Sequence, residues 1–177
     1  MGHPQGRLSP DRGGCTMRLL AFMLALWTAV PAAAADMQPF VRGSWQEILK
    51  ANAGTPTVLH FWGLTCAPCL TELPYWAELR RARPDMNVIM IAADPAPADA
   101  ADQLKTLQKA GLGGVESWAF ADTFSERLRY EIDPKWRGEM PRTILMASDG
   151  KPAVMVGLAD LPAVRAWYDT ENKKAKP

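Results

Sequence analysis

The sequence predicts an α/β fold, a central mixed β-sheet flanked by helices, and three observations carry that prediction. Short apolar runs of strand length, at 57–62, 87–92 and 142–147, alternate with longer segments whose apolar residues recur at helical spacing. The run at 87–92 is apolar almost throughout, as in a parallel strand covered on both faces. The run at 142–147 is followed by Ser148-Asp-Gly-Lys151 and a second apolar run at 152–157, which together read as a β-hairpin.

Each element has its own justification. Ser44 is expected to cap a first helix, 44–52, with Trp45, Ile48 and Leu49 on one face. Gly54-Thr-Pro56 ends it and leads into the strand Thr-Val-Leu-His-Phe-Trp at 57–62. A second helix opens at 66–69 and continues through Leu73, Trp76 and Leu79 towards Arg83. Pro74 should kink it, because proline removes an i→i−4 hydrogen bond. Pro84-Asp85 stops that helix ahead of the strand at 87–92. The segment 98–110 is amphipathic through Leu104 and Leu107. Gly111-Leu-Gly-Gly114 reads as its C-cap and loop; a phosphate loop would need a strand before it and Lys-Ser/Thr after it. A short strand at 117–121, a helix at 122–130, the hairpin and a last helix at 160–169 complete the order. It is a βαβ unit, an inserted helix and strand, then ββα.

The N-terminus predicts export. Met17-Arg18 forms a charged start, residues 19–30 are apolar, and Pro31-Ala-Ala-Ala-Ala35 supplies the small residues that signal peptidase needs before a cut at Asp36. The expected division is a signal peptide over 1–35, with Met17 as an alternative start, and one domain over 36–177. The apolar run is short for a bilayer span, so cleavage is favoured, and an uncleaved N-terminal membrane anchor is the alternative. Cys15 precedes the apolar run and is read as incidental. The expected compartment is the bacterial periplasm, where disulfide chemistry is active. A formal charge of +1 over 177 residues implies neither a nucleic-acid partner nor a polybasic membrane contact. Lys173-Lys174-Ala-Lys176 is read as a solvated tail.

Cys66-Ala-Pro-Cys69 carries the chemistry. Two thiols three residues apart at a helix start can close a disulfide within one turn. The first gains from unpaired backbone N–H groups that stabilise its thiolate. That thiolate can attack a partner's disulfide, and the second thiol can resolve the mixed intermediate. Two other uses of the pair stay open. Structural zinc usually needs four Cys or His ligands, and beyond the N-terminal segment only Cys66, Cys69 and His60 remain. A static disulfide would close a short loop and stabilise little.

The stretch Phe61-Trp62-Gly-Leu-Thr-Cys66-Ala-Pro68-Cys69-Leu-Thr-Glu72-Leu-Pro74, with Met140-Pro141 ahead of the hairpin, resembles the TlpA/ResA-like periplasmic thiol–disulfide reductases. The resemblance covers nearly all of the chain after the predicted signal peptide. It implies a thioredoxin-like fold with a TlpA-type α/β insertion. It implies Cys66 as nucleophile, Cys69 as resolving thiol, and Pro141 as a cis-proline beside the dithiol whose exposed backbone pairs with substrate. Met140, Trp62 and Pro68 complete the expected substrate-binding surface. Glu72, one turn beyond Cys69, matches a carboxylate of these reductases and is expected to carry the resolving thiol's proton. The only redox group implied is the Cys66–Cys69 disulfide, with no separate cofactor. The implied partners are periplasmic protein disulfides as substrates and a membrane thiol relay as electron donor. The implied service is cytochrome c or copper-site maturation, or copper-stress tolerance, by a monomer.

Three positions depart from the pattern. His60 stands where thioredoxin carries a buried acid, and is expected beneath Cys69, either tuning a thiol pKa or as a satisfied core histidine. Thr65 replaces the tryptophan that many relatives place before the first cysteine. The stretch 133–139, with Trp136 and several charges, is longer than the usual approach to the cis-proline and reads as a substrate-recognition feature or a neutral insertion. The loop Gly-Val-x-Gly-x-Pro-Glu of cytochrome-maturation relatives is absent, which weakens that client. Two competing functions are a Cu(I)-binding metallochaperone using Cys66, Cys69 and Met140, and a net dithiol oxidase.

Overall fold

Strand β1 (Met37–Phe40), β2 (Thr57–Trp62), β3 (Asn87–Ala92), β4 (Glu116–Phe120), β5 (Arg142–Met146) and β6 (Pro152–Val156) form one sheet in the order β1-β4-β3-β2-β5-β6. Strands β1 to β4 run parallel to one another, whereas β5 pairs antiparallel with β2 and β6 antiparallel with β5. The expected mixed α/β sheet is therefore present. The computed structural model describes residues 1–3, 36–94 and 98–175. The expected signal segment lies outside them apart from Met1, Gly2 and His3. The chain divides into two units, Met1–Pro31 and Ala32–Pro177, and every element named here belongs to the second.

Strand alternation splits the core into two layers. Val58, His60 and Trp62 of β2 share one face with Val88 and Met90 of β3, and meet Leu73 and Trp76 of α2 (Ala67–Ala82) and Val164 and Tyr168 of α5 (Leu161–Ala175). Leu59 and Phe61 point the other way with Ile89 and Ile91. They meet Trp45 and Ile48 of α1 (Ser44–Ala51) and Leu128 and Ile132 of α4 (Ser125–Ile132). Helix α3 (Ala100–Ala110) adds Leu107 to the first layer. Trp45, Trp62, Trp76, Trp136, Met86 and Met90 are all buried in these two layers.

Several expected boundaries move. Ser44 does not cap α1: Gly43 does, with φ 90°, and the Ser44 hydroxyl instead accepts from the Val41 N–H at 3.0 Å. Strand β1 is absent from the sequence reading because it has four residues and contains Pro39. A proline is tolerated there because β1 is an edge strand, paired with β4 alone. Helix α4 starts and ends later than expected, and α5 runs on to Ala175 through polar turns held by a Lys174–Glu171 ion pair. The C-cap reading of Gly111 holds, at φ 86°.

Candidate active site

Strand β2 delivers the dithiol. After Trp62 the chain turns through Gly63-Leu-Thr65, and the Cys66 N–H donates to the Gly63 carbonyl at 3.2 Å. Cys66 is the N-cap of α2, and its Sγ accepts from the Cys69 N–H at 3.3 Å. Pro68 sits in the first helical turn, where a missing N–H leaves no helical bond unmade. Cys66 is half-buried, Cys69 is fully buried, and the two are joined as a disulfide.

Asp94, just past β3, anchors the turn before the dithiol. It is buried, its Oδ1 accepts from the Leu64 N–H at 2.9 Å, and its Oδ2 accepts from Gln103 Nε2 of α3 at 2.8 Å. A Cβ on Gly63 would lie 2.8 Å from Asp94 Oδ1 and 3.2 Å from Met140 Cε. The close approach of that carboxylate is why position 63 is a glycine. No local pattern signals this, because Asp94 and Leu64 lie 30 residues apart in the chain.

One layer below, alternation on β2 and helical spacing on α2 bring His60 and Glu72 together. His60 Nδ1 hydrogen-bonds the Thr143 hydroxyl at 3.0 Å, directly across the β2–β5 ladder. Its Nε2 lies 3.0 Å from Glu72 Oε1, without hydrogen-bond alignment, and its ring packs on Trp76 at 4.7 Å. Glu72 Oε2 accepts from the Ala159 N–H at 3.0 Å, tying α2 to the segment after β6. Both side chains are buried, so the two residues form an enclosed polar pair beneath the dithiol helix.

A cleft of about 420 Å³ opens beside the disulfide, with Cys66, Pro68 and Met140 on its wall. The Met140–Pro141 peptide bond is cis. Two expected substrate contacts are corrected. Trp62 is fully buried on the α2 face and offers no surface to a partner. Pro141 is buried as well, and its carbonyl already accepts from the Gly157 N–H at 2.8 Å. Of the expected substrate contacts, Met140 and Pro68 are the ones that line the cleft beside Cys66.

This architecture recurs among solved structures. A secreted Mycobacterium tuberculosis disulfide oxidoreductase homologous to Escherichia coli DsbE matches with a TM-score of 0.53 and 18% identity, over 68% of this chain and 85% of that one. A DsbF homologue from Corynebacterium diphtheriae matches at 0.56 and 18%, over 69% and 75%. A thioredoxin-family thiol:disulfide interchange protein from Chlorobium tepidum matches at 0.55 and 15%, over 70% and 83%. The chain has a thioredoxin-like fold. In sequence it is similar to sporulation thiol-disulfide oxidoreductase A of Bacillus subtilis, 29% identical over 86 residues. That match covers 45% of this chain and 52% of the relative, so it spans about half of the relative's length. No protein-family model matches the sequence.

The approach at 133–139 in this thioredoxin-like fold does not present Trp136 to a partner. Trp136 is buried against Phe61 at 4.9 Å, its Nε1–H donates to the Glu139 carbonyl at 3.0 Å, and the Arg142 guanidinium lies over its ring at 5.2 Å. Arg142 is itself buried and paired with Asp133. The loop is thus fastened to the core by its tryptophan, while Arg137 and Gly138 line the cleft beside Cys66 together with Arg129 of α4. Among the described residues no group of three or more His, Cys, Asp or Glu side chains is placed to hold a metal ion, and no helix is long and apolar enough to cross a membrane.

Proposed function

We propose that this chain is a thiol–disulfide oxidoreductase that reduces disulfides in periplasmic partner proteins. The observation that carries the reading is the asymmetry of the pair: a partly exposed Cys66 capping α2, bonded to a fully buried Cys69. In the reduced protein the Cys66 thiolate is stabilised by the first-turn amides of α2, the Cys69 N–H among them. It attacks one sulfur of a partner disulfide, forming a mixed disulfide and releasing the partner's first thiolate. Cys69 then loses its proton and attacks Cys66 Sγ. The partner's second thiolate leaves, the partner has gained two electrons and two protons, and the Cys66–Cys69 disulfide is re-formed. Glu72, one turn from Cys69 along α2, and His60 of β2 beside it are both buried, and they are proposed to take up the proton that Cys69 loses. The disulfide is the only redox group invoked, and a membrane dithiol donor would reduce it again.

Cysteine variants test this directly. Cys66→Ser should abolish disulfide reduction, whereas Cys69→Ser should accumulate mixed disulfides with partners. Equal trapping by both single-cysteine proteins would show that the roles are misassigned. The direction of transfer is set by the reduction potential. A value near ~−270 mV supports a reductase, and one near ~−120 mV makes the protein an oxidant.

Cu(I) binding is a second reading, favoured by Met140 sharing the cleft wall with Cys66. Stoichiometric retention of Cu(I) by the reduced protein against a competing chelator, lost in Cys69→Ala, supports it; no retention sinks it.

A further inference from the structure

The cleft beside Cys66 carries charge of one sign. Its charged lining residues are Arg129 of α4 and Arg137 of the loop that follows that helix. Arg129 comes from α4, is 9% exposed, and is fixed by its own neighbours: Nη1 donates to the Ser125 hydroxyl at 3.1 Å and Nη2 faces Glu126 at 3.2 Å. Arg137 is exposed on the 133–139 loop, which Trp136 fastens to the core. Gly138 packs on the Arg129 side chain: a Cβ at 138 would lie 3.6 Å from the guanidinium carbon, so the two arginine-bearing segments meet at this point. The nearby carboxylates lie outside the lining. Glu126 is mostly solvent-exposed, and Glu139 is turned back onto the Arg137 backbone N–H at 3.0 Å.

We infer that this arginine pair selects partner segments that carry acidic side chains next to the disulfide cysteine, a preference that rests on the thiol–disulfide reading above. Guanidinium groups pair with carboxylates through two parallel N–H···O bonds. A mixed disulfide on Cys66 places the flanking residues of the partner in the same cleft as both arginines. An acidic flank is attracted there and a lysine flank is repelled, before and during sulfur exchange. The 133–139 loop is therefore a specificity element through Arg137, while its tryptophan is structural.

The test uses the full chain, pre-reduced and in excess, in single turnover with three disulfides. One is the neutral 2-hydroxyethyl disulfide. The other two are peptide disulfides identical except that Glu or Lys flanks the cysteine. The readout is the ratio of the Glu-peptide to the Lys-peptide rate, in which changes of folded fraction or of Cys66 thiolate fraction cancel. For partly exposed charge pairs the expected ratio is roughly threefold to tenfold at low salt, declining towards one as salt rises. Arg137→Gln should lower it by about threefold, Arg129→Gln should also lower it, and Arg129→Lys should retain most of it. A ratio of one with the neutral disulfide still reduced overturns the inference and leaves the redox reading standing. Failure to reduce any of the three overturns both.

Discussion

Replacing Gly63 by alanine tests how the turn before the dithiol is built. Gly63 is not among the glycines with positive φ, so space and not backbone conformation demands it. The added methyl would lie 2.8 Å from Asp94 Oδ1 and 3.2 Å from Asp94 Cγ. Asp94 cannot yield easily, because it is 5% exposed and held by the Leu64 N–H and by Gln103. Either the methyl is overpacked, costing about 1–3 kcal/mol, or a hydrogen bond to a charged group is given up, costing about 1.5–3 kcal/mol. Asp94→Ala alone leaves the Leu64 N–H and the Gln103 amide without their acceptor, again about 1–3 kcal/mol. With that carboxylate gone, the nearest remaining contact of the methyl is the flexible end of Met140 at 3.2 Å, so the double variant should cost less than the sum by about 1–2 kcal/mol. Urea unfolding of the oxidised parent, both single variants and the double variant measures this coupling. Costs that add to within ~0.5 kcal/mol would refute the reasoning.

Other outcomes follow from the same geometry. Trp136→Ala should destabilise the fold by about 3–5 kcal/mol, because it empties a buried site between Phe61, Phe120 and Arg142. A near-neutral denaturation midpoint would show that the 133–139 loop is not fastened as described. Glu72→Ala should cost about 1–3 kcal/mol, since it removes the acceptor of the Ala159 N–H. Glu72→Gln, which keeps an acceptor for Ala159, should cost roughly half as much, and equal costs would mean that this bond contributes nothing. If Glu72 also moves the Cys69 proton, Glu72→Gln should alter the pH profile of disulfide reduction; an unchanged profile removes it from the mechanism. Backbone N–H groups of Glu139 itself and of Arg137 hold the Glu139 carboxyl below the ordinary glutamate range. Its contribution to stability is complete above the unfolded value of ~4.3 and is lost as pH falls through the lower folded value. Proton titration of the Glu139 carboxyl by NMR should therefore show a midpoint below ~4.3, and an ordinary midpoint counts against the turn described.

The local patterns of the sequence determined the alternation of strand and helix, the dithiol at a strand-to-helix junction and the hairpin near the C-terminus. Each is a short-range property: apolar periodicity, Gly and Pro punctuation, and two cysteines within one helical turn. The sequence also showed Glu72 one turn from Cys69, but not that His60 would close against it. That pairing needs the β2–β5 register, which sets Thr143 opposite His60, and the packing of α2 over the same face. Trp62 and Trp136 read as surface aromatics beside the motif, yet the tertiary structure buried both, because strand alternation and loop path decide which face a side chain meets. Asp94 on the turn and Arg129 of α4 carried no signal in the chain, and the charged stretch 133–139 did not show that Arg137 would join Arg129 beside Cys66. They are assembled by segments remote in sequence, and only the closure of the sheet and its helices brings such residues within reach of the disulfide.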